Sequence, residues 1–196
     1  MSLRATELLT NVLRRALHLR RVLVALTGTP GTGKSSVGDA LARRGYHIVD
    51  LDVTAKELGL AETDEDGDVV VDVDALASKL HVPTKVAVLR GHYAHRMPAN
   101  VIVVLRCHPR ELWGRLEARG WPAEKIRENV EAEAIDVILQ EAVERGPPVY
   151  EVDTTAKDAE TTTREVLDIL RGKVAGHEPG RLDWTEEVTW IGARGA

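Results

Sequence analysis

The amino-acid sequence predicts an α/β fold, in which a parallel sheet is covered by helices on both faces. Apolar runs over 85–89 and 101–105 have the pattern of strands that are buried on both sides. Stretches with apolar residues at helical spacing alternate with such runs, as in folds with parallel sheets. A glycine-rich loop at 28–33 joins one strand directly to one helix. These observations place a ligand site at the carboxyl edge of the sheet.

Length and composition limit the classes of protein to which the chain can belong. With 196 residues it can form one good core but not two full domains, so we expect one domain with small mobile insertions. A net charge of −5 argues against a globally basic nucleic-acid binder and leaves room only for a local RNA contact. Cys107 is the only cysteine, and no apolar run approaches the roughly 18 residues of a membrane span. We therefore expect a reducing, cytoplasmic setting without membrane contact.

Residues 1–21 are predicted to form a basic amphipathic helix. They contain five arginines, a single acidic residue, Glu7, and leucines at helical spacing. A targeting peptide is the alternative, but the segment has no continuous apolar core and no small-residue cleavage site. A helix packed beside the domain is the favoured interpretation.

The glycine-rich loop matches the phosphate-binding pattern G-x-x-x-x-G-K-[ST] from Gly28 to Ser35. Its glycines let backbone N–H groups surround an oxyanion, and the following helix adds its positive N-terminal end. In such loops the side chain at Lys34 reaches the β- and γ-phosphates, and the Ser35 hydroxyl ligates Mg²⁺. The sequence thus predicts a site for a nucleoside triphosphate.

Two acidic residues follow the second predicted strand, 46–49, after a helix that ends at Gly45. Asp50 and Asp52 lie at the carboxyl end of that strand, where ligands bind in parallel sheets. Capping of a helix over 53–58 is their structural alternative, above all for Asp52. The acidic stretch 62–68 does not have the spacing of a calcium loop and is predicted to be structureless.

The second half of the chain is predicted to supply three further helices, a last strand and a tail. One helix runs from 109 to about 119, and a second carries apolar residues from Ile126 to Ala142 and ends at Gly146. The last strand, 148–152, precedes a final helix near 166–170. Beyond Gly172 we expect a loop-like tail, anchored by four apolar residues: Leu182, Trp184, Val188 and Trp190.

Positive charge gathers around the helix break at Gly120, Trp121 and Pro122. The cations are Arg115, Arg119, Lys125 and Arg127. A short lid that swings over phosphates would need such charges. A solvated helix face balanced by nearby glutamates is the alternative. Arg119, directly before the break, is the preferred phosphate ligand.

A histidine pair follows the third predicted strand, in the stretch from Gly91 to His95. The spacing of His92 and His95 would suit a metal pair, but no third ligand is evident near them in the sequence. We favour a role for His92 near the γ-phosphate.

From about 22 to 171 the chain resembles the adenylate kinase 6 group, which includes archaeal proteins of adenylate kinase type and ribosome-assembly ATPases of the Fap type. The phosphate loop is shared with many kinases, and the run after the helix break is more discriminating. The resemblance is carried by Thr27–Ser35, Gly91–His95, Val104–Arg106, Leu116–Trp121 and Lys125–Glu133.

This resemblance implies a nucleoside-monophosphate-kinase-like P-loop domain with a five-stranded parallel sheet over 22–171. It implies a monophosphate-binding segment at about 50–72, containing Asp50 and Asp52, and a lid at about 118–128, with 172–196 as a tail packed on the domain. The residues that it assigns to ATP are Gly31, Thr32, Gly33, Lys34, Ser35, Ser36 and Arg119. Relatives often carry an acidic residue at the position of Arg90, so Asp50 or Asp52 is left to hold the waters of Mg²⁺.

The expected activity is transfer of the ATP γ-phosphoryl group to AMP, with Mg²⁺, intrinsic ATP hydrolysis, and Lys34, His92 and Arg119 as catalytic residues. A rival is an assembly ATPase that releases a small-subunit ribosomal protein during ribosome biogenesis and rRNA processing. A shikimate-kinase-like enzyme is a third hypothesis, suggested by Asp50 and Asp52. The Gly-Gly-Gly run that would complete that pattern is missing at the third strand.

Overall fold

The computed structural model describes residues 22–64 and 69–194. The helix predicted over 1–21 therefore lies outside the described residues. Within them no helix is long and apolar enough to cross a lipid bilayer.

Five parallel strands form the central sheet in the order β2-β5-β1-β6-β7, and β3 pairs with β4 in a separate antiparallel hairpin. This arrangement confirms the predicted five-stranded parallel sheet. The strands are β1 Val22–Thr27, β2 His47–Asp50, β3 Ala61–Thr63, β4 Val69–Val71, β5 Val86–Arg90, β6 Val101–Arg106 and β7 Val149–Asp153.

Helices cover both faces of the sheet. They are α1 Lys34–Ala42, α2 Leu51–Glu57, α3 Val73–Lys79, α4 Pro109–Glu117, α5 Ala123–Ala134, α6 Val137–Glu144, α7 Ala159–Leu170 and α8 Glu187–Arg194, with a 3₁₀ turn at Ala94–Arg96.

The core follows the two-residue period of the strands. In β1, Val24 and Leu26 face α1 and α7, whereas Ala25 faces the side on which α2, α3 and α6 pack. A third cluster joins α4, α5 and α8 through buried side chains such as Leu112 and Ile191. Because all five strands of the central sheet run parallel, their carboxyl ends meet at one edge, where the following loops form the ligand site of such folds.

The structure corrects the prediction of a structureless stretch at 62–68. Glu62 lies in β3 and pairs with Val70 of β4, and Thr63 pairs with Val69. The acidic composition concealed the hairpin because its valines follow, rather than interrupt, the charged residues. Residues 65–68 lie outside the described part of the chain.

The single helix predicted from Ile126 to Gly146 is wrong, because the structure divides it into α5 and α6. Asp136 between them adopts a left-handed backbone conformation with φ 61°. Its carboxylate binds the buried Arg106 guanidinium, which also donates to the Glu133 carbonyl oxygen at 3.0 Å. This tertiary contact interrupts a sequence whose helical periodicity continues across the break.

The tail is more regular than predicted, since α8 occupies Glu187–Arg194. Ile191 is fully buried, and Trp190 packs edge-on against Trp113 with ring centroids 5.9 Å apart. Trp184 contacts His108 in the same way at 5.6 Å. Val188 is 38% exposed and does not act as the anchor that we expected.

Candidate active site

The phosphate loop is pressed onto the sheet and onto α4, and this close approach explains two of its glycines. A Cβ on Gly28, with φ 137°, would lie 2.2 Å from the Leu105 carbonyl oxygen. A Cβ on Gly31, with φ 95°, would lie 2.7 Å from the Leu112 Cδ1 atom. Larger residues would push the loop away from its support and disturb the backbone N–H groups that bind phosphate.

Lys34 begins α1 and folds back over the loop. Its Nζ atom donates to the carbonyl oxygens of Gly28 at 2.6 Å and Thr29 at 3.0 Å. Burial lowers the pKa of Lys34 to about 8, against the opposing influence of the Glu133 and Asp52 carboxylates. A cation that is only partly stabilised by its surroundings is prepared to pair with an anionic ligand.

A cavity of about 470 Å³ opens in front of Lys34. It brings together most of the residues predicted for the site, although they come from the loop, the segment predicted to bind the acceptor at about 50–72, the turn after β5 and the predicted lid. The lining comprises Pro30, Gly31, Gly33, Lys34, Ser35, Ser36, Asp52, Lys56, Val69, Val71, His92, Arg119 and Trp121.

A second cavity, of about 480 Å³, lies against the same loop. It shares Gly31, Gly33, Ser36 and Arg119 with the first. Thr32, which is fully buried, belongs only to this second lining. Its remaining walls are Val37, Arg115, Ala118, Thr154, Lys157, Ala159 and Thr162.

The two acidic residues after β2 have different surroundings. Asp50, not Asp52, caps α2, because its Oδ1 atom accepts from the backbone N–H groups of Asp52 and Val53 at 3.1 Å each. Asp50 is absent from the cavity lining, whereas Asp52 belongs to it and accepts a 2.8 Å hydrogen bond from the Tyr93 hydroxyl. The acceptor-binding role predicted for this pair stays a prediction, and the geometry favours Asp52.

Arg90 explains why Asp50 is turned away from the cavity. Its guanidinium contacts the Asp50 Oδ2 atom at 2.5 and 3.1 Å and the Asp39 carboxylate at 2.9 Å. Burial acts to raise the pKa of Asp50, but hydrogen bonds from Arg90 and from the first turn of α2 hold it below its ordinary value. The arginine therefore ties the start of α2 to α1 beside the phosphate loop.

The two histidines do not form a metal pair. His92 faces the first cavity, while the His95 ring is buried between the Thr27 Oγ1 atom at 3.0 Å and the Glu141 Oε2 atom at 2.8 Å. Desolvation and the nearby Lys34 charge lower the pKa of His92, so its imidazole is neutral at pH 7. Sequence reasoning missed Glu141, which lies 46 residues from His95.

Arg119 and Arg115 also differ. Arg115 is held by Glu111, at 2.5 and 3.0 Å, and by the Thr154 carbonyl oxygen at 2.7 Å. Arg119 is exposed, follows the end of α4, and lines both cavities. Of the two, Arg119 has the guanidinium that is available to a ligand in the cleft.

The residues near Lys34 suit Mg²⁺. Ser35 is exposed at the start of α1, and Ser35 and Asp52, which carry a hydroxyl and a carboxylate, both line the first cavity. Both are oxygen ligands of the kind that Mg²⁺ prefers, and an ion that keeps several waters needs few protein ligands. Within 22–64 and 69–194 no cluster of three histidine, cysteine or carboxylate side chains offers a complete protein-made metal site.

A buried charge cluster behind the phosphate loop was not predicted. Arg106 is 1% exposed and binds the carboxylates of Glu133 and Glu151, each at 2.8 Å, and that of Asp136. Glu133 also accepts from the hydroxyl of Thr29 in the loop. The only sequence signal for this cluster was a glutamate and an arginine at positions where an apolar residue would be expected.

Comparison with known proteins identifies the family. Residues 24–136 match the family model described as an AAA domain. A protein named "Putative adenylate kinase" from Archaeoglobus fulgidus is 42% identical over 170 residues, covering 85% of this chain and 94% of its own. A protein of the same name from Pyrococcus abyssi is 42% identical over 168 residues, covering 84% and 92%.

Solved kinase structures share the fold at low sequence identity. A deoxyadenosine kinase from M. mycoides matches with a TM-score of 0.54 and 13% identity, covering 78% of this chain and all of the other. A shikimate kinase from Acinetobacter baumannii matches with a TM-score of 0.53 and 14% identity, covering 82% and 99%. These similarities to solved structures concern the fold alone. The archaeal relatives are matched over nearly their whole length and at much higher sequence identity. The chain therefore belongs to the adenylate kinase 6 family of P-loop kinases.

Proposed function

We propose that the protein is a nucleoside-monophosphate kinase that transfers the γ-phosphoryl group of MgATP to AMP. One observation carries this proposal. The first cavity joins Lys34 of the phosphate loop to Asp52 and Lys56 of the acceptor segment and to Arg119 of the proposed lid. Because donor and acceptor are both anions, phosphoryl transfer needs such a common space with positive charge.

The two cavities provide places for two nucleotides. We assign the second cavity, between Thr154 and the phosphate loop, to the base and ribose of ATP, and the first cavity to the acceptor. The triphosphate then lies over the loop, where both cavities include Gly31 and Gly33. Arg119 belongs to both linings, so it can contact the group that passes between them.

The acceptor end combines a cation with an apolar wall. Lys56 lies in the last turn of α2, and Val69 and Val71 belong to β4. A nucleoside monophosphate has a charged phosphate and a planar base, which match these two features. A polyhydroxylated ring of the shikimate type matches the valine wall less well. AMP is the first-choice acceptor, in agreement with the name that the archaeal relatives carry.

The proposed chemistry depends on position and charge. Lys34 and Arg119 compensate the charge that develops on the transferred group, one from below and one from the lid. Neutral His92 orients the attacking oxygen, which belongs to AMP or, in slower intrinsic hydrolysis, to a water molecule. Ser35 would ligate Mg²⁺ and Asp52 would hold its waters. The ion, when bound, neutralises charge on the β- and γ-phosphates.

An acceptor screen tests the proposal. The protein is incubated with MgATP and each nucleoside monophosphate in turn, and ADP and the acceptor diphosphate are quantified. We expect AMP to give the fastest ADP formation, with two ADP per ATP consumed. ADP formation that AMP does not change would contradict the kinase assignment.

The alternative is an ATPase in small-ribosomal-subunit assembly, which the family resemblance also implies. Exposed valines beside the cavity, Val69 and Val70 at 51% and 56%, offer apolar surface to a protein partner. Capture of a small-subunit ribosomal protein together with ATP hydrolysis independent of AMP would favour this role. The same acceptor screen, repeated with the captured protein present, separates the two functions.

A further inference from the structure

Glu133 lies behind the phosphate loop, outside both cavity linings. It belongs to the last turn of α5 and is only 2% exposed. Its Oε2 atom accepts from the Thr29 hydroxyl. Its Oε1 atom accepts from the Arg106 Nε atom at 2.8 Å and from the Cys107 N–H group at 2.9 Å. One carboxylate thus connects the end of β6, the phosphate loop and α5, the helix that begins within the proposed lid.

Thr29 links Glu133 to Lys34. Its carbonyl oxygen accepts from the Lys34 Nζ atom at 3.0 Å and from the Thr32 hydroxyl at 2.8 Å. The side chain of Thr29 is therefore held by Glu133 while its backbone holds Lys34. A displacement of Thr29 would move the partner of the lysine directly.

We propose that Glu133 is a positioning residue for the phosphate loop, acting through Thr29 to set the place of Lys34 and linking the loop to the far end of the lid helix. The proposal rests on the proposed function, because it assigns a purpose to Lys34 in nucleotide binding. The first turns of α5 lie in the lid predicted at 118–128, and Glu133 lies at the other end of this same helix. Movement of the lid helix and the position of the loop are then connected by one side chain.

A purely structural role for Glu133 makes a different prediction. Arg106 has two further carboxylate partners, Glu151 and Asp136, so the cluster keeps counter-charges without Glu133. If Glu133 served only to balance Arg106, then Thr29 would not matter to catalysis. Substitutions at Thr29 therefore separate positioning from charge balance.

The test uses four variants of the full chain. Glu133→Gln removes the charge with little change of size, and Thr29→Val removes the hydroxyl while leaving every partner of Arg106 in place. Thr29→Ser keeps the hydroxyl and should recover most of the activity that Thr29→Val loses. Glu131→Gln is the matched control, since it makes the same change two residues earlier and about 200° around the helix. Thermal unfolding of each variant shows whether it is folded.

Steady-state kinetics with MgATP and AMP supply the first measurement. We expect Glu133→Gln and Thr29→Val to lower kcat/KM for ATP by about 10- to 100-fold, the scale of a small displacement at a reacting centre. The double variant should be no worse than the poorer single variant, because both changes break one contact. Thr29→Ser should recover most of the loss seen in Thr29→Val, and Glu131→Gln should retain wild-type kinetics. Losses that multiply in the double variant, or wild-type kinetics in folded Thr29→Val, would overturn the proposal.

Amide spectra without nucleotide supply a measurement that does not depend on activity. The ¹H–¹⁵N resonances of the loop residues Gly31 and Gly33 are compared among the folded variants. We expect both Glu133→Gln and Thr29→Val to shift these resonances and Glu131→Gln to leave them unchanged, and unshifted loop resonances in Glu133→Gln and Thr29→Val would overturn the proposal. A wild-type protein that binds no ATP would refute the proposed function, while these spectra would still decide whether Glu133 positions the loop.

Discussion

Two groups of charged side chains flank the phosphate loop, and they differ in the partners of their cations. Behind the loop, Arg106 is surrounded by three carboxylates of its own chain. In front of it, Lys34 and Arg119 border an open cavity, and among residues 22–64 and 69–194 the Lys34 ammonium donates only to loop carbonyl oxygens. The inner group is complete within the fold. In the outer group, as far as the structure describes the chain, no carboxylate forms an ion pair with Lys34 or Arg119, and an anionic ligand would supply that contact.

This difference indicates how the protein divides stability from function. A buried cation with hydrogen-bonded partners costs much to disturb, because removing it leaves desolvated carboxylates without a partner. A cation at the cavity contributes little to stability and can be used for binding. Substitutions in the inner group should therefore affect unfolding first, and substitutions in the outer group should affect turnover first.

The largest effect is expected for Arg106→Met. It leaves Glu133 and Glu151 buried without their partner and should lower the free energy of unfolding by about 3–5 kcal/mol. Urea unfolding measures this loss. Arg44→Met, which breaks the surface pair with Glu160, serves as the control and should cost no more than about 1 kcal/mol. Equal losses in the two variants would contradict the comparison.

Lys34→Ala should instead lower turnover strongly and leave stability nearly unchanged. We expect kcat to fall by about 10²–10³-fold or more, as when a main stabiliser of transition-state charge is removed, while the melting temperature changes little. Steady-state kinetics and thermal unfolding of the same preparation give both values. A loss of only a few-fold in kcat would refute the assignment of the phosphate loop.

His92→Ala should lower ATP hydrolysis more than ATP affinity. Loss of a group that orients the attacking oxygen is expected to slow hydrolysis by about 10²-fold, with the dissociation constant for ATP nearly unchanged. Calorimetric binding and saturating hydrolysis rates are compared. If affinity falls and the rate at saturation does not, His92 is a binding or packing residue.

Arg119→Lys tests whether the exposed cation of the outer group acts through its geometry. Lysine keeps the charge and loses the planar fork that contacts two phosphate oxygens. We expect ATP binding within about 1 kcal/mol of the wild type and transfer slowed at least about tenfold. A fully active variant would mean that the lid is wrongly assigned.

The smallest effect concerns pH. Lys34 has a pKa of about 8 in the folded protein, so ATP affinity should be constant below pH 8 and fall by up to about tenfold per unit above it. The contribution of Lys34 to the free energy of unfolding changes with pH in the opposite direction. Between about pH 8 and the ordinary lysine value of 10.5 the unfolded chain binds more protons, so stability rises with pH.

Lys34→Arg is the control for this pH dependence, because arginine stays charged throughout the range. Its ATP affinity, measured by calorimetry from pH 7 to 9.5, should show no decrease that begins near pH 8. A decrease of the same size in this variant would assign the pH dependence to another group.

Much of the fold and part of the site follow from local patterns. The apolar runs predicted the strands because a strand buried on both faces must be apolar throughout. The loop pattern predicted its glycines because those positions need backbone conformations or space that other residues lack, as the contacts of Gly28 and Gly31 show. The position of Arg119 beside a helix break similarly placed it at the cleft.

The sequence by itself determined the strands of the central sheet, the loop and its lysine, since each depends on residues that are neighbours along the chain. Only the tertiary structure decided that Asp50 pairs with Arg90, that His95 faces Glu141, and that Glu133 reaches Thr29 over a separation of 104 residues. Strand order and register bring these side chains together. The sequence alone does not indicate which partner a charged residue will contact. Residues that hold the ligand-facing groups in place are therefore visible only once the sheet has assembled.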